Sequence, residues 1–255
     1  EDFCYLFVGH WIKGTFGEDR KNVPLLIKAF YETFKNKSKK PALILKTSHA
    51  ASSYMDRREI MKQINELKKS VKADRLPNVY LLHGDLSDDE MNEVYNHPKI
   101  KAMVCLTKGE GFGRPLLEFS LSNKPIITTN YSGHIDFLKP EFTNLIGGQI
   151  KPIHESAIVE NILIKESGWF EPRHDEINFY LRDVFKNYKR YSNLSKRQGY
   201  FSRTNFSFKK MKEKIDELLS SYIPEFPKQM KLKLPGLKKI ELPKIKKLKK
   251  LVENG

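Results

Sequence analysis

The chain has 255 residues, 39% hydrophobic and 30% charged, with 46 Lys and Arg against 31 Asp and Glu for a net charge of +15. That is ample apolar chain for a full core, which excludes a disordered protein. The longest apolar runs, such as residues 3–8 and 102–106, fall far short of the ~20 needed to span a bilayer, and no signal-peptide pattern opens the chain. Ten Lys and three Glu fall in residues 224–255, so this tail holds +7 and leaves +8 for residues 1–223. A nucleic-acid binder would show one basic stripe interleaved with aromatics, so no nucleic-acid partner is expected. Cys4 and Cys105 sit in apolar segments far apart in the chain, which is neither a metal spacing nor a disulfide framework. A reducing compartment, the cytoplasm, fits them. The sequence starts at Glu1 without a methionine and runs straight into strand-like residues, and so reads as a piece of a longer protein.

In chain order, residues 3–9 (FCYLFVG) form the first apolar run, and Asp19-Arg20-Lys21-Asn22 leads into a helical pattern over 23–34 with Leu26, Ala29, Phe30 and Phe34 on one face. A second run at 41–47 is followed by a helix over 54–71 carrying Ile60, Ile64 and Leu67. Runs at 78–82, 101–107, 125–129 and 144–146 alternate with helices at 87–95 and 114–121. Continuous apolar strands alternating with helices predict a parallel sheet covered on both faces. Right-handed crossovers make it an α/β, Rossmann-like, doubly wound domain. Beyond residue 151, Trp169-Phe170-Glu171-Pro172 reads as a turn. A helix over 175–197 and another over 207–222, striped by Met211, Ile215, Leu218 and Leu219, are expected to pack back on the sheet. The predicted domain is therefore 1–223, with a Lys/Leu/Pro tail over 224–255. Pro235 and Pro243 forbid one continuous helix in that tail.

Ligands of open parallel sheets bind outside the carboxyl ends of the strands. There, Thr107-Lys-Gly-Glu-Gly-Phe-Gly-Arg-Pro-Leu-Leu-Glu118 follows a strand and opens a helix. Its glycines let main-chain N–H groups approach an anion, and Pro115 suits a first helical turn. Taken alone, a glycine-rich turn is as readily a tight strand-to-helix connection. The carboxylates of Glu110 and Glu118, eight positions apart around it, ask for more than that.

Glu110-Gly-Phe-Gly-Arg-Pro-Leu-Leu-Glu118 resembles the Glu-x(7)-Glu motif of the retaining, nucleotide-sugar-dependent "group 1" glycosyltransferases of GT-B architecture. The run 129–138 (TNYSGHIDFL), Gly9-His10 and the Arg20-Lys21 pair fit the same pattern, over about residues 3–222. The resemblance implies the donor-binding, C-terminal half of a GT-B fold, with the N-terminal acceptor domain missing. It implies that Glu118 accepts hydrogen bonds from ribose and that Glu110, the catalytic candidate, lies near the transferred sugar. Gly111, Phe112 and Gly113 would hold sugar and phosphate oxygens through their amides. Gly9, His10, Arg20 and Lys21 would lie at the diphosphate, and Gly84 and Leu86 at the nucleobase. The implied donor is a UDP-, GDP- or ADP-sugar of a hexose, with no cofactor and no metal. Two departures stand out: His10 replaces the usual arginine, and Arg114 replaces an aliphatic residue.

Plainer readings exist for most of these residues. Arg20 and Lys21 at a helix start are commonly solvated charge, and His10, His83 and His134 are commonly turn or cap histidines. Phe112 could be core, Trp169 and Phe170 read as packing residues under the terminal helices, and nothing gives Thr47, Ser48 or His49 a role. A non-catalytic nucleotide- or carbohydrate-binding module, or a basic polyanion binder, is the alternative to an enzyme. In the tail, leucines and isoleucines recur among the lysines, which suits a peripheral contact with an anionic membrane surface.

Overall fold

The computed structural model describes residues 1–223 apart from Lys13, Thr15, Ala50 and 160–162. Glu1–Glu213 form one compact unit. Six strands make its sheet: β1 Cys4–Val8, β2 Ala42–Lys46, β3 Val79–Leu82, β4 Ile100–Cys105, β5 Ile126–Thr129 and β6 Asn144–Ile146. Their order is β3-β2-β1-β4-β5-β6, and every neighbouring pair is parallel. This is the expected doubly wound sheet. The chain winds outward from β1 to β3, then returns to the centre and winds the other way, so β1 and β4 flank the switch point.

Helices α1 Val23–Phe34, α2 Tyr54–Ser70, α3 Asp88–Asn96 and α4 Arg114–Ser120 make the crossovers. With right-handed connections, the outward winding places α1 and α2 on one face and the return places α3 and α4 on the other. Side-chain contacts agree, with Tyr95 of α3 edge-on to Phe119 of α4 at 5.8 Å. The core is apolar where the sequence is: Tyr5, Leu6, Phe7, Leu26, Phe30, Leu43, Val104 and Ile127 are fully buried. The Tyr5 hydroxyl enters this core only because it donates to the Leu181 carbonyl at 2.6 Å.

The C-terminal part departs from expectation in three ways. Trp169–Pro172 is no turn but most of a strand, β8 Gly168–Pro172, paired antiparallel with β7 Gly148–Pro152 in a separate two-stranded sheet. The helix expected over 175–197 is broken at Asn187 into α5 His174–Lys186 and α6 Tyr188–Asn205. At the break the Asn187 amide still donates to the Asp183 carbonyl at 2.8 Å, and its side chain donates to the Asp183 carboxylate at 2.6 Å. These two helices do pack back, α5 against α1 and α6 against α4. The last helix, α7 Phe208–Ser220, has no buried residue, and Met211, Ile215, Leu218 and Leu219 are exposed. Trp169 and Phe170 are packing residues as expected, but not under the terminal helices: both belong to β8, Trp169 packing with Ile153 and Ala157 and Phe170 stacking on Tyr131 at 5.2 Å. The tail over 224–255 lies outside the described residues. No helix among the described residues is long and apolar enough to cross a membrane.

Candidate active site

The site lies at the carboxyl ends of β1 and β4. Asp19 prepares it by capping α1: its carboxylate accepts from the Val23 amide at 2.8 Å and the Lys21 amide at 3.3 Å. Burial raises the Asp19 pKa, although these amides and the nearby Lys108 pull it down. The cap turns Arg20 and Lys21 toward the loop after β4. There the Lys21 ammonium donates to Glu110 Oε1 at 2.5 Å, and the Arg20 guanidinium lies 3.5 Å from Oε2. Arg20 also donates to the Gly109 carbonyl. Burial acts to raise the Glu110 pKa, but the Lys21 and Arg20 charges outweigh it and hold the carboxyl below its ordinary value.

The main chain of Glu110 is clamped as firmly as its side chain. Its amide donates to the Ser132 hydroxyl at 2.7 Å and its carbonyl accepts from the Gly133 amide at 3.0 Å. Ser132 holds φ 74°, a conformation costly for a residue with a Cβ. A Cβ at residue 133 would meet the Gly111 carbonyl oxygen at 2.0 Å, so only glycine lets the two loops touch. The motif loop then enters α4 through Gly113 at φ 86°.

A cavity of about 700 Å³ opens between the loops, lined by Gly9, His10, Arg20, Lys21, Leu86 and Glu118 among the predicted residues. Gly84 stands just behind the wall, its carbonyl accepting from Lys46 at 2.6 Å. Glu110 does not line this cavity; it is joined to it through Lys21, which does. The Phe112 side chain is partly exposed and packs on Phe137, 5.2 Å between centroids, so Gly111, Phe112 and Gly113 are not brought to the cavity wall. Glu118 is held from two sides: Tyr95 donates to it at 3.1 Å and the Arg114 Nε lies at 3.2 Å.

Sequence reasoning missed Lys46, Tyr95 and Asp88 on the cavity wall, and found no role for Thr47 and Ser48, which also line it. Lys46 and Tyr95 were hidden as ordinary residues of a strand end and a helix. Three ties hold the loops after β2 and β3 together: Lys46 to the Gly84 carbonyl, Ser52 to Asp85 at 2.8 Å, and Asp56 between His49 and His83 at 2.9 and 2.8 Å. His134 is a structural histidine, fully buried, its Nε2 donating to the Thr129 carbonyl at 2.6 Å. Burial lowers its pKa. Among the described residues, no group of three or more His, Cys, Asp or Glu is arranged to hold a metal ion.

This geometry can be set beside known proteins. The C-terminal domain of a glycosyl transferase group 1 family protein (LpcC) from Francisella tularensis superposes with a TM-score of 0.55 at 15% identity, over 81% of this chain and 87% of that one. Anabaena Alr3699/HepE, solved in complex with UDP and glucose, gives 0.59 at 15% identity, over 86% of this chain and 48% of that one. A glycosyltransferase from Rickettsia africae ESF-5 gives 0.57 at 13% identity, over 86% and 47%. The chain thus spans about half the length of these last two proteins. No curated protein matches it by sequence. Residues 14–175 match the family described as "Glycosyl transferases group 1", a stretch that takes in Arg20, Lys21 and the Glu110–Glu118 motif and ends at the start of α5. The chain belongs to the group 1 glycosyltransferases, and its doubly wound sheet is that of their C-terminal, GT-B half.

Proposed function

We propose that this chain binds the donor of a retaining hexosyltransferase, a UDP-, GDP- or ADP-sugar, for transfer to an acceptor. The observation that carries the reading is the Lys21–Glu110 ion pair at the switch point, beside a cavity walled by Glu118. Breaking the bond between the anomeric carbon and the phosphate oxygen leaves both electrons on the diphosphate and positive charge on the sugar. Fixed cations at the diphosphate lower that barrier. In this reading Lys21 and Arg20 supply them without a metal, with His10 and the Gly9 main chain at the same phosphates. Glu118 takes the ribose hydroxyls in the place prepared by Tyr95 and Arg114. Gly84 and Leu86 form the nucleobase wall. Glu110, released from Lys21 by the incoming diphosphate, turns to the sugar. The main-chain amides of Gly111, Phe112 and Gly113 reach sugar oxygens only with a shift of the motif loop.

That Anabaena Alr3699/HepE was solved with UDP, and with UDP-glucose, makes uridine nucleotides the first to try. Acceptor recognition is assigned to the half of such enzymes that this chain does not match. Calorimetry with UDP, GDP and ADP tests the reading, with and without a chelator. Binding of one of them, unchanged by the chelator, is expected; no binding by any at millimolar concentration, with the protein folded, overturns it. The proposal places the enzyme in the cytoplasm, at an anionic membrane surface reached through the basic tail.

A further inference from the structure

Lys108 precedes the Glu110 motif and is among the largest fully buried side chains of the described residues. A buried ammonium is costly unless its donors are met, and here residues of two segments meet them. It donates to the Gly17 carbonyl at 3.0 Å, lies 3.3 Å from Glu171 Oε1, and sits over the Trp169 ring at 4.8 Å. The main chain of Lys108 joins the same partners: its amide donates to the Arg20 carbonyl at 2.8 Å and its carbonyl accepts from the Phe170 amide at 3.1 Å. One residue therefore ties the β1–α1 loop and the β7–β8 hairpin to the start of the motif loop. The position of the Gly17–Arg20 segment decides where Arg20 and Lys21 stand.

We propose that Lys108 is a positioning residue for diphosphate: through the Gly17 carbonyl it holds the β1–α1 loop so that Arg20 and Lys21 converge on the phosphates, with Glu171 and Trp169 as its neutralising seat. The inference rests on the nucleotide-sugar reading above and assigns Lys108 no contact with the donor. Its distinguishing mark is selectivity, because a loop misplaced at Arg20 and Lys21 weakens the phosphate contacts and leaves the nucleobase wall, built from the loops after β2 and β3, as it was.

The test compares the affinity of the full chain for UDP, GDP or ADP, whichever binds, with that for the corresponding nucleoside, in wild type and in Lys108→Met. The expected result is a loss of about tenfold or more for the diphosphate with the nucleoside affinity kept. Lys108→Gln, which keeps a hydrogen-bond donor and no charge, replaces the Met variant if that one does not fold, and should show a smaller change of the same kind. Equal losses for both ligands, or none for either, overturn the inference while leaving the nucleotide reading in place. A folded wild type that binds no nucleotide overturns both.

Discussion

Glu110 commits its carboxylate to Lys21 and Arg20, the two cations the proposed function assigns to diphosphate. Carboxylate and phosphate therefore compete for one place. Glu110→Gln removes the competitor, and free nucleoside diphosphate is expected to bind several-fold tighter, while the added affinity of the nucleotide-sugar over the nucleotide is lost. Glu118→Ala should instead weaken both by about 1–3 kcal/mol, the loss of hydrogen bonds to a charged acceptor. Calorimetry on the two variants decides: if Glu110→Gln loses free nucleotide as Glu118→Ala does, the two roles are exchanged. His134 makes a separate prediction. Its folded-state pKa lies below the ordinary 6.5, so the unfolded chain takes up a proton first on acidification. Its contribution to stability is therefore present above about pH 6.5 and is lost as pH falls below that toward the folded-state value. Tm measured between about pH 7 and pH 5 should fall less steeply in His134→Asn than in wild type, whatever the variant's stability at neutral pH; parallel slopes would refute it.

At the level of elements, the Gln198 side-chain amide ties α6 to the loop after β5. Gln198, buried, accepts from the Lys139 amide at 2.9 Å and the Thr143 hydroxyl at 3.2 Å, and donates to the Phe137 carbonyl at 2.7 Å and to Ser202 at 2.9 Å. Gln198→Leu orphans these groups, and a loss of about 2 kcal/mol, seen as a Tm lower by several degrees, is expected. Such ties explain what could be read in advance. The six parallel strands were legible because strands buried on both faces are written as continuous apolar runs, and the handedness of crossovers leaves few orders open. The β7–β8 hairpin was not, because β7 is exposed throughout, its sequence GQIKP shows no alternation, and Pro172 imitates a turn. In the site, Glu110 and Glu118 were legible by their spacing around glycines. Tyr95, Lys46 and Lys108 were not, since each takes its role from partners distant in sequence. The α7 stripe was read correctly as amphipathic and wrongly as covered: periodicity reveals an apolar face and not what lies against it.

For the molecule as a whole, charge and apolar exposure gather toward one end of the chain. The +7 of residues 224–255 follows α7, whose Phe208 and Leu218 stand mostly exposed, as does Tyr222 just beyond its end. Lysines near an anionic surface contribute about 1 kcal/mol each, and apolar side chains add to it. The full chain should therefore sediment with phosphatidylglycerol-containing vesicles at low salt, while a chain ending at Tyr222 binds them more weakly and still binds nucleotide. Equal sedimentation of both, or of neither, would leave the tail without a membrane role.

The pairing of β1 with β4 also governs how the protein comes into being. Tyr5 lies against Ala102 and Leu6 against Met103, so the central ladder closes a loop of roughly a hundred residues, and contacts of such long range slow folding. On the ribosome, β1, β2 and β3 can associate early, but β1 then presents a bare apolar edge until β4 emerges. The donor cleft has no precursor in that half-made sheet, because Lys21 meets Glu110 only once the last of these strands is in place. Nascent chains stalled before β4 are the ones a chaperone must shield from edge-to-edge aggregation.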